Sequence, residues 1–406
     1  MRGPGPRFAA SAILRGVIGR GSQGRRVGLA IACAVLLVGC SPTTPSPVGS
    51  GLAGLTPSPS TSSASDSPTA SATTSLPTPS PTPSPSPSSV LVPAPLTGKL
   101  VSPAAAALHP IAVMLDDLSA ARPQSGLGEA SIVFQAPAEG GIPRYMAIFA
   151  ETVPTDVGPV RSARYYFIAW ASEWRAMYVH AGGSPQALTA LRSQGSGQLV
   201  YNADQFRYGG SFRRIASRAA PHNLYTTGAQ LRRLATLLRA SAPPKPIWTF
   251  NPPTPLSERP VGGRISFAYP QNAIRYDYDR ASNTYLRTVS GEGAQHDAAS
   301  KVRIAPTNVV IMWMKFGPLN DGEAYKHRLE ATIVGSGPAW VATNGHTIKG
   351  TWKKRSTTGP TLFFDSAGHQ LSLTVGQTFV NVVTWGTPIT VHDGSHAPPR
   401  NGPPSD

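Results

Sequence analysis

Ala176-Met177-Tyr178-Val179-His180-Ala181-Gly182-Gly183-Ser184-Pro185 runs from an apolar stretch through two glycines into a serine-proline pair. The apolar run predicts a buried strand over Ala176 to His180. Serine is a favoured helix N-cap and proline is preferred at the first helical position, so a helix is expected over Ser184 to Arg192. Glycines let the backbone turn sharply and approach a ligand closely. A strand, a glycine turn and a helix N-terminus form the repeating unit of an α/β domain. Their geometry also suits an anion. A tight turn with a good cap explains the same residues without a ligand. Gly182, Gly183 and Ser184 are therefore ligand-binding candidates with a structural alternative.

The pattern continues on both sides. Strands are expected over Ile111 to Leu115, which ends at Asp116-Asp117, over Ala130 to Gln135 and over Arg144 to Glu151. Helices are expected over Ala163 to Arg175 and Thr227 to Ala240. Strands alternating with helices predict an α/β domain over residues 98–242. Pro243 to Pro260 holds seven prolines and marks a boundary. Beyond it, short alternating runs such as Arg264 to Tyr269, Ile274 to Tyr278, Asn308 to Met314 and Gln377 to Thr384, with a hairpin turn at Asn344-Gly345, predict a β-rich domain over residues 261–390. The polar tail, residues 391–406, is expected to fray.

The N-terminal hundred residues read differently. Arg2, Arg7, Arg15, Arg20, Arg25 and Arg26 precede a twelve-residue apolar run, Val27 to Val38, and no acidic residue intervenes. This is the order of a secretory signal peptide over residues 1–39. The run is shorter than the ~20 residues of a membrane-spanning helix. Leu37-Val38-Gly39-Cys40 resembles the lipobox of bacterial lipoproteins. That resemblance implies acylation of Cys40 (palmitate among the acyl groups), removal of the signal, and a lipid anchor at the outer, extracytoplasmic face of the cell membrane. Sec is the default export route; Arg25-Arg26 is a weak twin-arginine signal.

Residues 40–97 are rich in proline, serine and threonine, as in Pro77-Thr78-Pro79-Ser80-Pro81-Thr82-Pro83. Such a segment cannot bury enough apolar surface to fold, so a disordered tether is expected. At ~3.1 Å per residue in polyproline II it would reach beyond ~100 Å.

Charge follows from the same division. The chain carries a formal +16, and subtracting the six arginines ahead of Cys40 leaves +10. That excess is too diffuse to predict nucleic-acid binding; attraction to anionic wall polymers or lipid headgroups is the milder inference. The two cysteines are Cys33, inside the signal, and Cys40, so the folded part has no thiol chemistry.

Five motifs stand in order: Ala121-Arg122-Pro123-Gln124-Ser125-Gly126-Leu127, Glu139-Gly140-Gly141, Gly158-Pro159-Val160-Arg161-Ser162-Ala163-Arg164, His180-Ala181-Gly182-Gly183-Ser184-Pro185 and Pro221-His222-Asn223-Leu224-Tyr225. Together they resemble the YerB-type lipoproteins, the domain-of-unknown-function family DUF3048. The later Gly293-Ala294-Gln295-His296-Asp297 and Asn308-Val309-Val310 resemble that family's C-terminal domain. The resemblance covers roughly Leu108 to Thr384. It implies a two-domain envelope lipoprotein and carries no activity with it.

Within these motifs the chemistry-bearing residues are few. If Ser162 opens a helix, Arg161 and Arg164 share a face, and paired guanidinium groups suit carboxylates and phosphates. Ion pairs with Asp116, Asp117 or Glu139 would explain them equally well. His180 and His222 could act as acid and base with Asp116 or Asp117. Asn223 adds a polar contact beside His222. No HExxH spacing, no GxSxG elbow and no cysteine ligand is present, so neither a metal nor a cofactor is expected. His296-Asp297 reads as turn chemistry.

Two functions follow. One is a non-catalytic module binding an anionic envelope ligand or an envelope protein at Arg161, Arg164 and the glycine turn. The other is a wall-acting hydrolase or transferase built on His180 and His222. Whether the chain is an enzyme stays open at this point.

Overall fold

The computed structural model describes residues 90–193 and 199–395. The expected signal peptide, Cys40, the tether as far as residue 89 and the tail from residue 396 lie outside the described residues.

The principal strands of the first half are β1 (Ile111–Asp116), β2 (Ile132–Pro137), β3 (Pro143–Phe149), β4 (Met177–His180) and β5 (Tyr201–Asp204). Every residue of β1 and β2 is buried, the signature of strands covered on both faces. Helix α1 (Tyr165–Ala171) covers one face, stacking Trp170 on Phe134 of β2 at 5.1 Å. Helix α3 (Gly228–Leu237) buries Leu231 and Leu234 against the other. Helix α2 (Pro185–Ser193) follows β4.

The second half supplies β6 (Arg264–Tyr269), β7 (Asn272–Asp279), β8 (Thr284–Val289), β9 (Asn308–Met314), β10 (Gly335–Thr343), β11 (His346–Lys354), β12 (Thr361–Asp365), β13 (Thr378–Thr384) and β14 (Thr390–His392). Strand β7 alternates buried and open positions, as a strand with one wet face should.

Strands of both halves form one ten-stranded sheet in the order β12-β11-β10-β9-β13-β2-β3-β1-β4-β5. The join is β13, which pairs parallel with β9 and parallel with β2, Thr378 meeting Asn308 on one side and Ile132 on the other. Six of its seven residues are buried, so it needs a neighbour on each edge. The proline-rich boundary at Pro243 to Pro260 thus divides the sequence without dividing this sheet. Nor is the first half a regularly alternating parallel sheet. β1, β4 and β5 run parallel, whereas β2 and β3 pair antiparallel, as do β3 and β1. A second, antiparallel sheet orders Gly293–Ala294, β8, β7, β6 and β14. It packs Ile265, Phe267 and Tyr276 on Val309 and Ile311 of β9.

Three boundaries move. The folded region begins before Gly98: Val92–Pro93 pairs with Leu100–Val101, and Ala94, Leu96 and Thr97 are buried, because Leu96 joins the core and Thr97 Oγ1 donates to Glu151 at 2.6 Å. At the other end, β14 takes residues 391 and 392 into the second sheet, and Ser395 bridges Val261. The helix expected over Ala163 to Arg175 is shorter. It runs from Tyr165 to Ala171, passes into a 3-10 turn over Ser172–Trp174, and stops where Arg175 turns left-handed at φ 48°. No helix among the described residues is long and apolar enough to cross a membrane.

Candidate functional site

The segment Val157 to Ala163 is the organiser of the site. Its backbone threads between elements that are far apart in sequence. Ser125 N donates to the Gly158 carbonyl at 2.9 Å. Asp116 N donates to the Pro159 carbonyl at 3.0 Å, and Arg161 N to that of Met114 at 2.9 Å, so the segment pairs antiparallel alongside the end of β1. Val160 N donates to the Leu224 carbonyl at 2.7 Å. On the next stretch Ala181 N donates to the Arg161 carbonyl at 3.0 Å, and Ala163 N to that of Gly182 at 2.8 Å. The motifs around Ser125, Arg161, Gly182 and His222 are therefore gathered by backbone pairing at the C-terminal ends of β1 and β4. That is where ligands gather in open sheets with helical crossovers.

Asp116, the last residue of β1, sits at the centre. Its Oδ2 lies 2.6 Å from His222 Nδ1 and 2.7 Å from Arg161 Nε, and its Oδ1 accepts from Leu118 N at 3.1 Å. The carboxylate is buried, whereas the His222 and Arg161 side chains are 15 % and 20 % exposed. Burial lowers the Arg161 pKa, and the Asp116 charge opposes that shift. Beside this group Arg144 donates to Glu139 Oε2 at 2.7 Å and to the Ser162 carbonyl at 2.9 Å. Arg164 pairs with the other Glu139 oxygen. Burial lowers the Arg144 pKa and pushes that of Arg164 down to about 10. Three guanidinium groups thus face two carboxylates. A cleft of about 350 Å³ opens over them, lined by Asp116, Leu118, Glu139, Ile142, Arg144 and Arg161 from the first half and by Tyr325 and Lys326 from the second.

Each sequence candidate has a definite place. Arg161 and Arg164 do not share a helix face, since α1 begins at Tyr165; they precede it in extended backbone and reach different carboxylates. Both take the ion-pair alternative, and Arg161 also lines the cleft. His180 is fully buried, with Nδ1 at 2.7 Å from the Gly182 carbonyl and Nε2 at 2.8 Å from Asn202 Oδ1. Proton transfer needs a reachable ring nitrogen, which His180 does not offer. The glycine turn is also internally bonded: Gly182 N donates to Asp204 Oδ1 at 3.2 Å, Ser184 N to the Ala163 carbonyl at 3.2 Å, and Ser184 Oγ caps α2 through Ala187 N at 3.3 Å. Asn223 Oδ1 accepts from Arg214 at 2.7 Å and so pins the hairpin beside His222.

Asp117 belongs to another layer. It is fully buried, paired with Arg122 at 3.2 Å, and accepts from Gln135 at 2.6 Å and Asn272 at 2.9 Å. Burial raises its pKa against the pull of Arg122 and Arg287. Asp297 is a clasp between the halves, its Oδ2 accepting from the amides of Gly126 at 2.7 Å and Gly128 at 3.0 Å.

Arg144, Tyr325 and Lys326 escaped the sequence reading. In the sequence Arg144 reads only as a strand residue. The alternation of β3 placed it beside Asp116 all the same, and the two are cross-strand partners. Tyr325 and Lys326 sit in a turn whose place over the cleft depends on long-range pairing, which local sequence does not encode. Among the described residues, no group of three or more His, Cys, Asp or Glu side chains is arranged to hold a metal ion.

Comparison with known proteins agrees with this architecture. Residues 96–241 match the N-terminal domain of a protein family of unknown function, DUF3048, and residues 265–380 match that family's C-terminal domain. The chain is 30 % identical over 298 residues to "Putative lipoprotein YerB" of Bacillus subtilis (strain 168), covering 71 % of this chain and 86 % of that protein. The crystal structure of the YerB protein from Bacillus subtilis superposes with a TM-score of 0.64 at 26 % identity, covering 74 % of this chain and all of the other. With both of its domain models matched in order and a relative aligned across most of the chain, this protein belongs to the DUF3048 family.

Proposed function

We propose that this chain is a lipoprotein anchored through Cys40 at the outer face of the cell membrane, whose folded unit binds an anionic ligand of the envelope in the cleft over Arg144 and Arg161. The name of the relative supports the anchor, and so does the Leu37-Val38-Gly39-Cys40 sequence. The observation that carries the ligand reading is the cationic lining of the cleft. Arg144 and Arg161 line it over Asp116 and Glu139, buried Arg164 shares Glu139 with Arg144 behind it, and exposed Lys326 stands at the rim. Guanidinium groups already fixed by carboxylates lose little freedom on meeting a phosphate or carboxylate. Exposed Tyr325 adds an aromatic face suited to a sugar ring.

The test is binding of the intact protein to purified wall fragments and, separately, to vesicles containing anionic lipid. Arg161→Ala and Arg144→Ala are expected to weaken binding at least ~10-fold, the loss of one charge-assisted contact. Arg213→Ala, which removes an exposed arginine paired with Asp156, serves as the control. Unchanged binding in both cleft variants sinks the proposed site.

One observation favours a second reading. Asp116 orients His222 through Nδ1 at 2.6 Å, and no described residue engages Nε2 of this partly exposed ring. A carboxylate-oriented imidazole is a general-base arrangement, so a hydrolase or transferase acting on the bound wall ligand would use His222 with Asp116. His222→Gln that binds wall fragments normally but no longer complements a deletion would select this reading. Full complementation would remove it.

A further inference from the structure

A groove of about 670 Å³ opens beside the first described residues of the chain. It lies at the opposite end of the ten-stranded sheet from the Arg161 cleft. Strands β1 and β2 both pair antiparallel with β3, and β13 runs parallel to β2, so β1 and β13 point the same way. Asp116 ends β1, whereas Val375, in the groove wall, precedes β13.

The wall is apolar for a reason that begins in the sequence. Pro93, Pro95, Pro246, Pro252 and Pro253 line it, and proline has no N–H to present. The amides of Ala94, Gly98 and Val375 are spent on the carbonyls of Lys99, Ala94 and Asn251. Trp248 and Phe250 add their rings, and Trp248 Nε1 donates to the Thr361 carbonyl at 2.9 Å. A peptide brings carbonyls that need donors, and this wall has few to give. Hydrocarbon needs none.

Apolar surface continues outside the groove. Leu100, at its lip, is 65 % exposed, and Val90 and Leu91 are 75 % and 50 % exposed. Strand alternation sets Leu91 on the same face as Pro93, the cross-strand partner of Leu100. No charged residue stands among the described lining. The charges are at the margin: exposed Lys99 and Lys245 adjoin Leu100 and Pro246 in the chain. An apolar floor with a basic margin matches an anionic bilayer surface, which offers hydrocarbon to the one and phosphate to the other.

The course of the chain argues for the same partner. The described fold begins at Val90, beside the groove, and Cys40 stands fifty residues ahead of it. On the anchor reading proposed above, on which this step rests, the bilayer holds the far end of that segment and keeps the fold at high effective concentration. The geometry points to the Leu100 groove as a membrane-docking face that seats the folded unit on anionic lipid. The Arg161 cleft, at the other end of the strands, then faces away from the bilayer, which makes a wall polymer and not a lipid headgroup its ligand.

Vesicle co-flotation tests this with the chain from residue 40, which keeps every described residue, and with Cys40→Ser, so that no acyl group contributes. Binding to vesicles of phosphatidylcholine with phosphatidylglycerol is expected to be roughly ten-fold tighter than to phosphatidylcholine alone. Leu100→Asp, at an exposed position, is expected to weaken it by roughly ten-fold or more, the loss of one buried leucine. Lys99→Ala and Lys245→Ala should each weaken it about five-fold, the worth of one lysine near an anionic surface. Leu237→Asp, at an exposed position on helix α3, and Arg161→Ala should leave it unchanged. Absence of binding, or binding that Leu100→Asp leaves intact, overturns the proposal. So does a dimer in solution that Leu100→Asp disperses, since the groove then holds a second copy. Binding lost with Arg161→Ala places the lipid in the cleft and overturns it as well. Failure of the Cys40 reading shows separately, as an unacylated mass of the native protein, and does not alter this assay.

Discussion

Arg287 Nη2 donates to Gln135 Oε1 at 2.6 Å, which ties strand β8 of the second half to strand β2 of the first through a fully buried cation. The same guanidinium donates to Tyr276 Oη at 2.9 Å and to Tyr145 Oη at 2.9 Å, and contacts Gln295 Oε1. Its carbon stands over the rings of Tyr145, Tyr276 and Phe379. Gln135 passes the link on to buried Asp117. This cation and that carboxylate join the halves together with the Asp297 clasp and the buried Glu173–Lys354 pair. Arg287→Ala leaves Asp117 with Arg122 as its remaining cation and several buried acceptors without a donor. The expected loss is about 3–5 kcal/mol, the cost of breaking a buried charged network from one side. Arg287→Lys should recover little, because an ammonium cannot reproduce the planar fork. Urea unfolding measures both. A loss under ~1 kcal/mol for Arg287→Ala would show that the network does not hold the halves together.

Part of this junction was legible in the sequence. Thr284 to Thr288 reads as an alternating strand, and alternation puts Arg287 on the same face as Tyr285 and Val289, which are both buried. An arginine in that phase is a signal of a buried partner. What local pattern could not give was the partner, since Gln135 is 152 residues away. The strand-turn-helix reading of Met177 to Pro185 was sound for the same reason in reverse: apolar run, glycine φ and N-cap are all local. The ligand reading of that turn depended on which amides stay free, and Asp204 and Ala163, supplied by other elements, decide that. The expected tether and tail take in Leu96 and Val391-His392 because these sit in polar, proline-containing sequence, yet each meets a core or a strand edge built elsewhere.

Gly158, in the motif that organises the site, has no room for a side chain. A Cβ there would stand 2.5 Å from Cδ1 and 2.6 Å from Cγ of Tyr225. The ring cannot swing aside freely, because Arg218 donates to its hydroxyl at 2.7 Å and is itself bound to the Ala121 carbonyl at 2.6 Å. Gly158→Ala should therefore destabilise the protein by about 1–3 kcal/mol, the range of overpacking a tight site. It should also disturb the loop that carries His222. Gly209→Ala, at a position with nothing within 4 Å, should be close to neutral. Thermal unfolding of the two variants compares them directly. Equal melting temperatures would mean that the motif glycine is not there for packing.

His109 gives the fold a pH dependence whose sign is fixed. Its pKa in the folded protein is lowered from 6.5, with burial as the largest cause. Below 6.5 the unfolded chain then binds a proton that the folded chain resists. Stability rises with pH wherever the unfolded state holds more protons. The neutral ring's contribution is fully present above 6.5 and diminishes as the pH falls from 6.5 toward the folded pKa. Below that pKa no further loss comes from this residue. His109→Phe removes the titration while keeping an aromatic ring against Tyr201, which meets His109 edge-on at 5.3 Å. In urea unfolding below pH 6.5, the variant should lose less stability with falling pH than the unaltered protein does. Parallel profiles would mean that His109 is not held neutral.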